Sequence, residues 1–309
     1  MRRKTRTLLL AIGCLAIATG ASANQQDVAP GKFVRWTQKD GPTAVAVGGT
    51  RALIEAVPCI DADGECYRAR VSVNVAGKAP VTMMGEPGIA YRIAIGRLDK
   101  DDTGASVMLE SYTGGAHCCS VYTIAEPIGD AVRIVPVLWQ PPGENTAGPQ
   151  TSFNSGDIPF PVDLSGDGHA DIVLRDDRFL YAFSSYAGSI APPIVLSLVD
   201  GKTVDRSDDP AFAMVFADAM QVARGFCISA PYEHNGACAG YVADAARLGR
   251  LDAAWRLMLR HYDRRSTWPL NFCAVALVDG ECPNGHEQSY HDYPAALRAF
   301  LVRTGYIAK

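Results

Sequence analysis

Val162-Asp163-Leu164-Ser165-Gly166-Asp167-Gly168-His169-Ala170-Asp171-Ile172-Val173-Leu174 sets the terms for the rest of the chain. Oxygen-bearing side chains stand at loop positions one, three, five and nine: Asp163, Ser165, Asp167 and Asp171. Gly168 takes the sixth position, where a sharp turn is needed, and the His169 carbonyl falls at the seventh. A tightly curled loop aims alternate side chains at one point, and the hard cation Ca2+ takes roughly six to eight oxygens. Three carboxylates held this close repel one another unless a cation joins them. The plain alternative is a polar turn that uses Asp and Gly for turn chemistry alone. The expected metal ligands are therefore Asp163, Ser165, Asp167, His169 and Asp171, with Ca2+ as the cofactor. Leu174 stands where an EF-hand has its glutamate, so further oxygens fall to Asp176, Asp177 or water.

Outward from the loop, residues 31–200 read as strands. One set is Phe33–Trp36, Arg51–Val57, Arg68–Val75 and Val81–Met84, broken by Gly48-Gly49, Asp61–Gly64 and Gly77-Lys78. A second is Tyr91–Ile95, Ser106–Ser111, Val121–Ala125 and Val132–Trp139. A third is Phe160–Leu164, Asp171–Leu174, Arg178–Tyr186 and Ile194–Leu198. Four short strands per set, separated by long polar loops, predict propeller-blade-like units. Only three sets fit, and a propeller closes with at least about four blades. A partial or non-standard propeller, an open array or a sandwich all satisfy the pattern.

The loop and its flanks resemble the calcium loop of FG-GAP/VCBS-type repeats, the blades of integrin alpha-chain propellers. That family places D-x-[DN]-x-[DN]-G-x-x-D between two strands; here the match is D-L-S-G-D-G-H-A-D, with Ser165 where Asp or Asn is usual. One charge fewer implies weaker affinity. Gly96–Leu109 looks like a degenerate second copy, with Asp99, Asp101 and Thr103 in ligand places but no final Asp. The resemblance covers about 90–190. It implies a binding protein, an adhesin or an enzyme, because these blades serve all three.

After Asp200 the period becomes helical. Ser207-Asp208-Asp209-Pro210 is a helix start, followed by Phe212, Val215, Phe216, Ala219, Met220 and Ala223 at helical steps. Helices are expected at Ala237–Leu248, from Leu251 to Tyr262, and from Asp292 to a stop at Gly305. The fold class expected is mainly β with a C-terminal helical region (α+β). The expected division is 1–23 signal peptide, 24–205 β repeat domain and 206–309 disulfide-containing helical domain.

The signal reading rests on a basic start (Arg2, Arg3, Lys4, Arg6), an apolar run from Thr7 to Gly20 and the Ala21-Ser22-Ala23 cleavage site. No later segment reads as long enough to cross a membrane. Removing 1–23 takes away four of 29 basic residues and none of 33 acidic ones, leaving 25 against 33 and a charge of −8. That balance argues against nonspecific nucleic-acid binding. Nine cysteines less Cys14 leave eight, in local couples: Cys59 with Cys66, Cys118 with Cys119, Cys227 with Cys238, Cys273 with Cys282. Export to an oxidising compartment, periplasmic or secreted, makes these disulfides; zinc would want tighter spacings.

Tyr112-Thr113-Gly114-Gly115-Ala116-His117-Cys118-Cys119 is the other chemical candidate. His117 beside two thiols suggests Cys–His catalysis, thiol exchange or, once oxidised, ligand contact. No G-x-S-x-G and no paired histidines at zinc-protease spacing occur. The function expected is an exported calcium-binding scaffold for an unknown protein or carbohydrate of the cell envelope or beyond. An envelope hydrolase or thiol-redox enzyme using Gly114–Cys119 is the alternative.

Overall fold

The computed structural model describes residues 23–61, 64–99, 104–115, 119–143, 148–275, 278 and 281–308. The signal segment, save Ala23, lies outside the described residues, as do Asp101, Thr103, His117 and Cys118.

The strands are β1 (Asn24–Asp27), β2 (Val34–Trp36), β3 (Thr43–Val47), β4 (Thr50–Asp61), β5 (Gly64–Val75), β6 (Val81–Met84) and β7 (Ala90–Gly96). They continue as β8 (Ser106–Tyr112), β9 (Ser120–Ile128), β10 (Ala131–Pro136), β11 (Asp171–Arg175), β12 (Pro193–Val199) and β13 (Lys202–Asp205). They form three sheets, ordered β1-β3-β4-β5-β6, β10-β9-β8-β7-β2 and β11-β12-β13. No barrel closes among them.

Period two tells each strand which face goes where. Val45, Ile54, Val71 and Met83 of the first sheet meet Ile93, Ile95, Leu109 and Ala125 of the second. The alternate residues of the second, Ala94, Met108, Tyr122 and Ile124, face Ile172, Leu174, Leu196 and Leu198 of the third. The middle sheet is thus covered twice, and β8 is buried at every position but its last. Strands covered on both faces read as continuous apolar runs, whereas β5 keeps the alternation of a sheet with one wet face.

The helices are α1 (Ala213–Ser229), α2 (Asn235–Arg247), α3 (Leu251–His261) and α4 (Tyr293–Arg303), with a small hairpin of β14 (Asn271–Cys273) and β15 (Glu287–Ser289) before the last. The expected start signals act as such. The Asp209 carboxylate accepts from the Ala211 N–H at 2.9 Å, and that of Asp292 from the Ala295 N–H at 2.8 Å. Gly249 and Gly305 end their helices at φ +67 and +82. Phe212 and Phe216 cover Val195 on the outer face of the third sheet. Helix α2 is buried at eleven of thirteen positions. Its glycines permit that, since a Cβ at Gly240 would stand 2.1 Å from the Ile190 carbonyl oxygen. Three of the expected disulfides are present, Cys59–Cys66, Cys227–Cys238 and Cys273–Cys282.

Some expectations are corrected. The units are not four-stranded: two sheets have five strands and the third has three. Phe33–Trp36 leaves its own set and pairs with β7 through Val34–Trp36. Phe160–Leu164 is no strand, and only Val162 bridges to Asp171. Arg178–Tyr186 is not a strand either. The Asp176 carboxylate caps a short 3-10 turn by accepting from the Arg178 N–H, and Tyr181 takes φ +59. Its alternating aromatics serve another purpose: Phe179 and Phe183 enter the core of the helices. One segment past the leader does have membrane-spanning length and composition, Pro210–Ser229. In the fold Phe216, Met220, Ala223 and Cys227 on one of its faces are buried, and Cys227 is bonded to α2.

Candidate functional site

The 163–171 loop leaves the lone bridge at Val162 and re-enters the sheet at Asp171, whose N–H donates to the Val162 carbonyl at 2.9 Å. Gly166 and Gly168, at φ +81 and +100, curl the backbone over Asp163. The Asp163 carboxylate accepts from the Gly166 N–H at 2.6 Å and the Gly168 N–H at 3.1 Å. Buried Asp171 accepts from the Leu164 N–H at 2.8 Å and the Ser197 hydroxyl at 2.5 Å. The His169 N–H donates to Asp167 at 3.0 Å and, more than any other contact, holds that carboxyl below its usual range. Arg206 stands 4.0 Å from Asp167 and is itself held by Asp209.

The loop therefore has the curl and the oxygen chemistry that suit Ca2+. The gathering of its acids is another matter: among the described residues no three His, Cys, Asp or Glu side chains meet as a metal site. Backbone N–H groups and Arg206 already attend these carboxylates, and the Asp99 carboxylate lies 3.7 Å from the His169 ring. Asp176 and Asp177 point elsewhere. Asp176 pairs with Arg178 and accepts from the Tyr306 hydroxyl; Asp177 accepts from the Asn154 N–H and the Gln150 amide.

A concave site does lie beside the Gly114–Cys119 loop. It is a cleft of about 340 Å³ at the end of β7 and β8, lined by Arg35, Arg92, Glu110, Tyr112, Asn154 and Tyr186 among others, with Cys119 and Ser120 at its edge. Arg92 and Glu110 are opposite each other in register, and Arg35 is opposite Arg92 on β2. Side chains paired across strands share a face, so all three project together. The Arg92 guanidinium binds the buried Glu110 carboxylate, donates to the Ile158 carbonyl at 3.3 Å and lies 4.5 Å from the Phe33 ring. The Ser120 hydroxyl donates to Glu110 at 2.6 Å. Burial pushes the Tyr122 phenol up, with the Glu110 charge adding to it; its hydroxyl donates to the Gly156 carbonyl at 3.2 Å. Tyr186 donates to the Asn154 side chain at 2.9 Å.

An ion pair buried like Arg92–Glu110 has a desolvation cost close to its attraction, so stability alone is a weak reason for it. What it supplies is a fixed polar floor. Arg35 and the Asn154 amide can then donate to a ligand, and the Tyr112 and Tyr186 hydroxyls, whose protons go to the Gly115 carbonyl and to Asn154, can accept from it. No histidine among the described residues lines the cleft, and Ser120 is committed to Glu110. Cys119 is disulfide-bonded. Sequence reasoning reached the edge of this site through Gly114–Cys119 but missed its floor. The available signal was Glu110, a lone charge inside the otherwise uncharged run Ser106–Tyr112.

Residues 217–305 match the family model of the sll0997 C-terminal domain. A probable thylakoid lumen protein, sll0997 of Synechocystis sp., is 37% identical over 253 residues, which cover 79% of this chain and 69% of the relative. An uncharacterized protein, y4bJ of Sinorhizobium fredii, is 26% identical over 284 residues, 88% of this chain. The chain spans only 42% of that second relative's length. No solved structure matches the chain. The thylakoid lumen is topologically like the periplasm, and disulfides persist outside the reducing cytoplasm, so this is an exported protein. By identity and coverage together, the chain belongs to the family of the probable thylakoid lumen protein sll0997.

Proposed function

We propose that this is an exported binding module whose ligand, a polar saccharide of the cell envelope, sits in the cleft over Arg92 and Glu110. The observation that carries this is the convergence of Arg35, Tyr112, Asn154 and Tyr186 around a rigid ionic floor. Aromatic rings beside directed donors and acceptors suit sugar rings, which have apolar faces and hydroxyl edges. The stacked sheets form the scaffold, and the helices of 206–309 form a second unit against them. Ca2+ enters as a brace for the 163–171 loop, held by Asp163, Ser165, Asp167, the His169 carbonyl and Asp171. In that role it stiffens a turn and carries no chemistry.

The envelope-enzyme alternative shares the cleft's edge, but a thiol mechanism needs a reduced sulfur, and Cys119 is bonded. Binding of the mature protein to an array of bacterial envelope saccharides tests the reading. Saccharide retention that is lost in Arg35→Ala and Tyr112→Ala supports it. Retention unchanged in both variants, or turnover of the retained saccharide, overturns it. Chelation separately tests the brace: a lower Tm with chelator, absent in Asp167→Ala, is expected, and equal melting in the wild type removes Ca2+ from the account.

A further inference from the structure

A second pocket, of about 570 Å³, opens between the 178–182 turn and the helical part, with Arg303, Phe272, Phe300, Trp268 and Tyr181 on its walls. Arg303 is half-buried on the last turn of α4. Its guanidinium lies 4.6 Å from the Phe272 ring centroid and 5.7 Å from that of Phe300. It donates to the Cys273 carbonyl at 3.5 Å and has no carboxylate partner among the described residues. A guanidinium has five N–H donors, so most of its edge is uncommitted. The other cation here differs: Arg178 donates to Asp176 and to the Pro142 and Thr304 carbonyls.

Burial holds the Arg303 pKa below its usual value, and the Arg178 charge adds to that. A cation placed with rings on its face, a second cation nearby and its edge open is completed by an anion that accepts two parallel N–H bonds. The aromatic wall selects what the anion is attached to. The Trp268 indole N–H donates to the Tyr181 carbonyl at 3.1 Å, which fixes the ring plane. Tyr181 is half-exposed and held at φ +59, an unfavourable backbone for a tyrosine. Strain of this kind recurs at ligand sites.

We propose that this pocket binds a small organic acid, its carboxylate paired with Arg303 and its flat or ring-shaped body against Trp268 and Tyr181. Aromatic carboxylates and uronic acids share that chemistry. The pocket shares no lining residue with the cleft over Arg92, although the Tyr181 ring lies 6.0 Å from that of Tyr186 on the cleft wall. Titrating the mature protein with indole-3-acetate and with glucuronate, by calorimetry and for the uronate also by the change in tryptophan fluorescence that Trp268→Phe removes, distinguishes the two sources. Indole and glucose are the uncharged controls. Saturable binding of at least one acid, at least tenfold tighter than its uncharged counterpart, is expected. Arg303→Gln should weaken that binding at least tenfold with the Tm preserved. If Arg303→Gln fails to fold, Arg303→Lys keeps the charge but not the paired donors, and should weaken binding several-fold. Equal binding of acid and control, no saturable binding of either acid, or full affinity in a folded Arg303 variant overturns the proposal. Arg35→Ala should leave this binding unchanged.

Discussion

Burial at Asp177 outweighs the hydrogen bonds its carboxylate accepts, from the Asn154 N–H at 2.8 Å and the Gln150 amide at 3.0 Å, and raises its pKa from 3.8 to about 6. The charge on Asp176 next to it acts in the same direction. A carboxyl that holds its proton more tightly folded than unfolded stabilises the fold fully below pH 3.8 and loses that as pH rises through about 6. Asp177→Asn keeps an acceptor oxygen and removes the charge. The variant's Tm should fall less steeply than that of the wild type between these limits, and at neutral pH it should be more stable by on the order of 2 kcal/mol. Some slope should persist from Asp244, whose carboxyl burial also raises and whose two oxygens accept no hydrogen bond from the described residues. A Tm–pH profile in Asp177→Asn that overlays the wild type would place the titration elsewhere. The curl of the 163–171 loop was legible because Gly166 and Gly168 take the positive φ that a sharp turn needs. The directions of Asp176 and Asp177 were not, since two adjacent acids read alike whether they face a cation, an arginine or a backbone amide.

Elements were legible where one local rule sufficed. The Asp209 and Asp292 caps, the Gly249 and Gly305 stops and the Cys59–Cys66 clasp across β4 and β5 all follow from short-range offsets. The rule failed at Arg178–Tyr186, where Phe-x-Tyr-x-Phe has strand period but Phe179 and Phe183 leave a turn for the helical core. Helix α1 poses the sharper question, because composition alone makes it a candidate to cross a membrane. Its two faces differ. Phe216 and Met220 are buried, whereas Met214 and Val222 are 70% and 57% exposed. Phe216→Ala and Met220→Ala should each cost about 2–5 kcal/mol in urea unfolding of the mature protein. Met214→Ala and Val222→Ala should stay within about 0.5 kcal/mol. Equal losses on both faces would mean that the outer face is covered too.

At the scale of the whole molecule, period two says that a strand has two faces but not what covers them. Three stacked sheets with helices on the last could therefore be read only as β units followed by helices. The cover explains why the boundary near 205 is sharp in sequence and blurred in space. Val195 of β12 lies under Phe212 and Phe216, and Phe183, from before the boundary, packs against Phe272, Tyr293 and Phe300 at 5.5, 5.2 and 5.2 Å between ring centroids. Losing the helices would uncover the third sheet, and losing the 179–183 turn would hollow the helical core. The two regions should therefore unfold together. Phe183→Ala tests this at a single point, because removing a buried phenyl group costs about 3–5 kcal/mol. Trp36 and Trp139, both buried among the sheets, report on the β stack once Trp255 and Trp268 are replaced by Phe. In that background Phe183→Ala should lower the urea midpoint of the tryptophan signal and of the far-UV helical signal by the same amount. A helical midpoint that drops while the tryptophan midpoint holds would show that the sheets stand without the helices, and the shared core would then be a contact surface between two independent units.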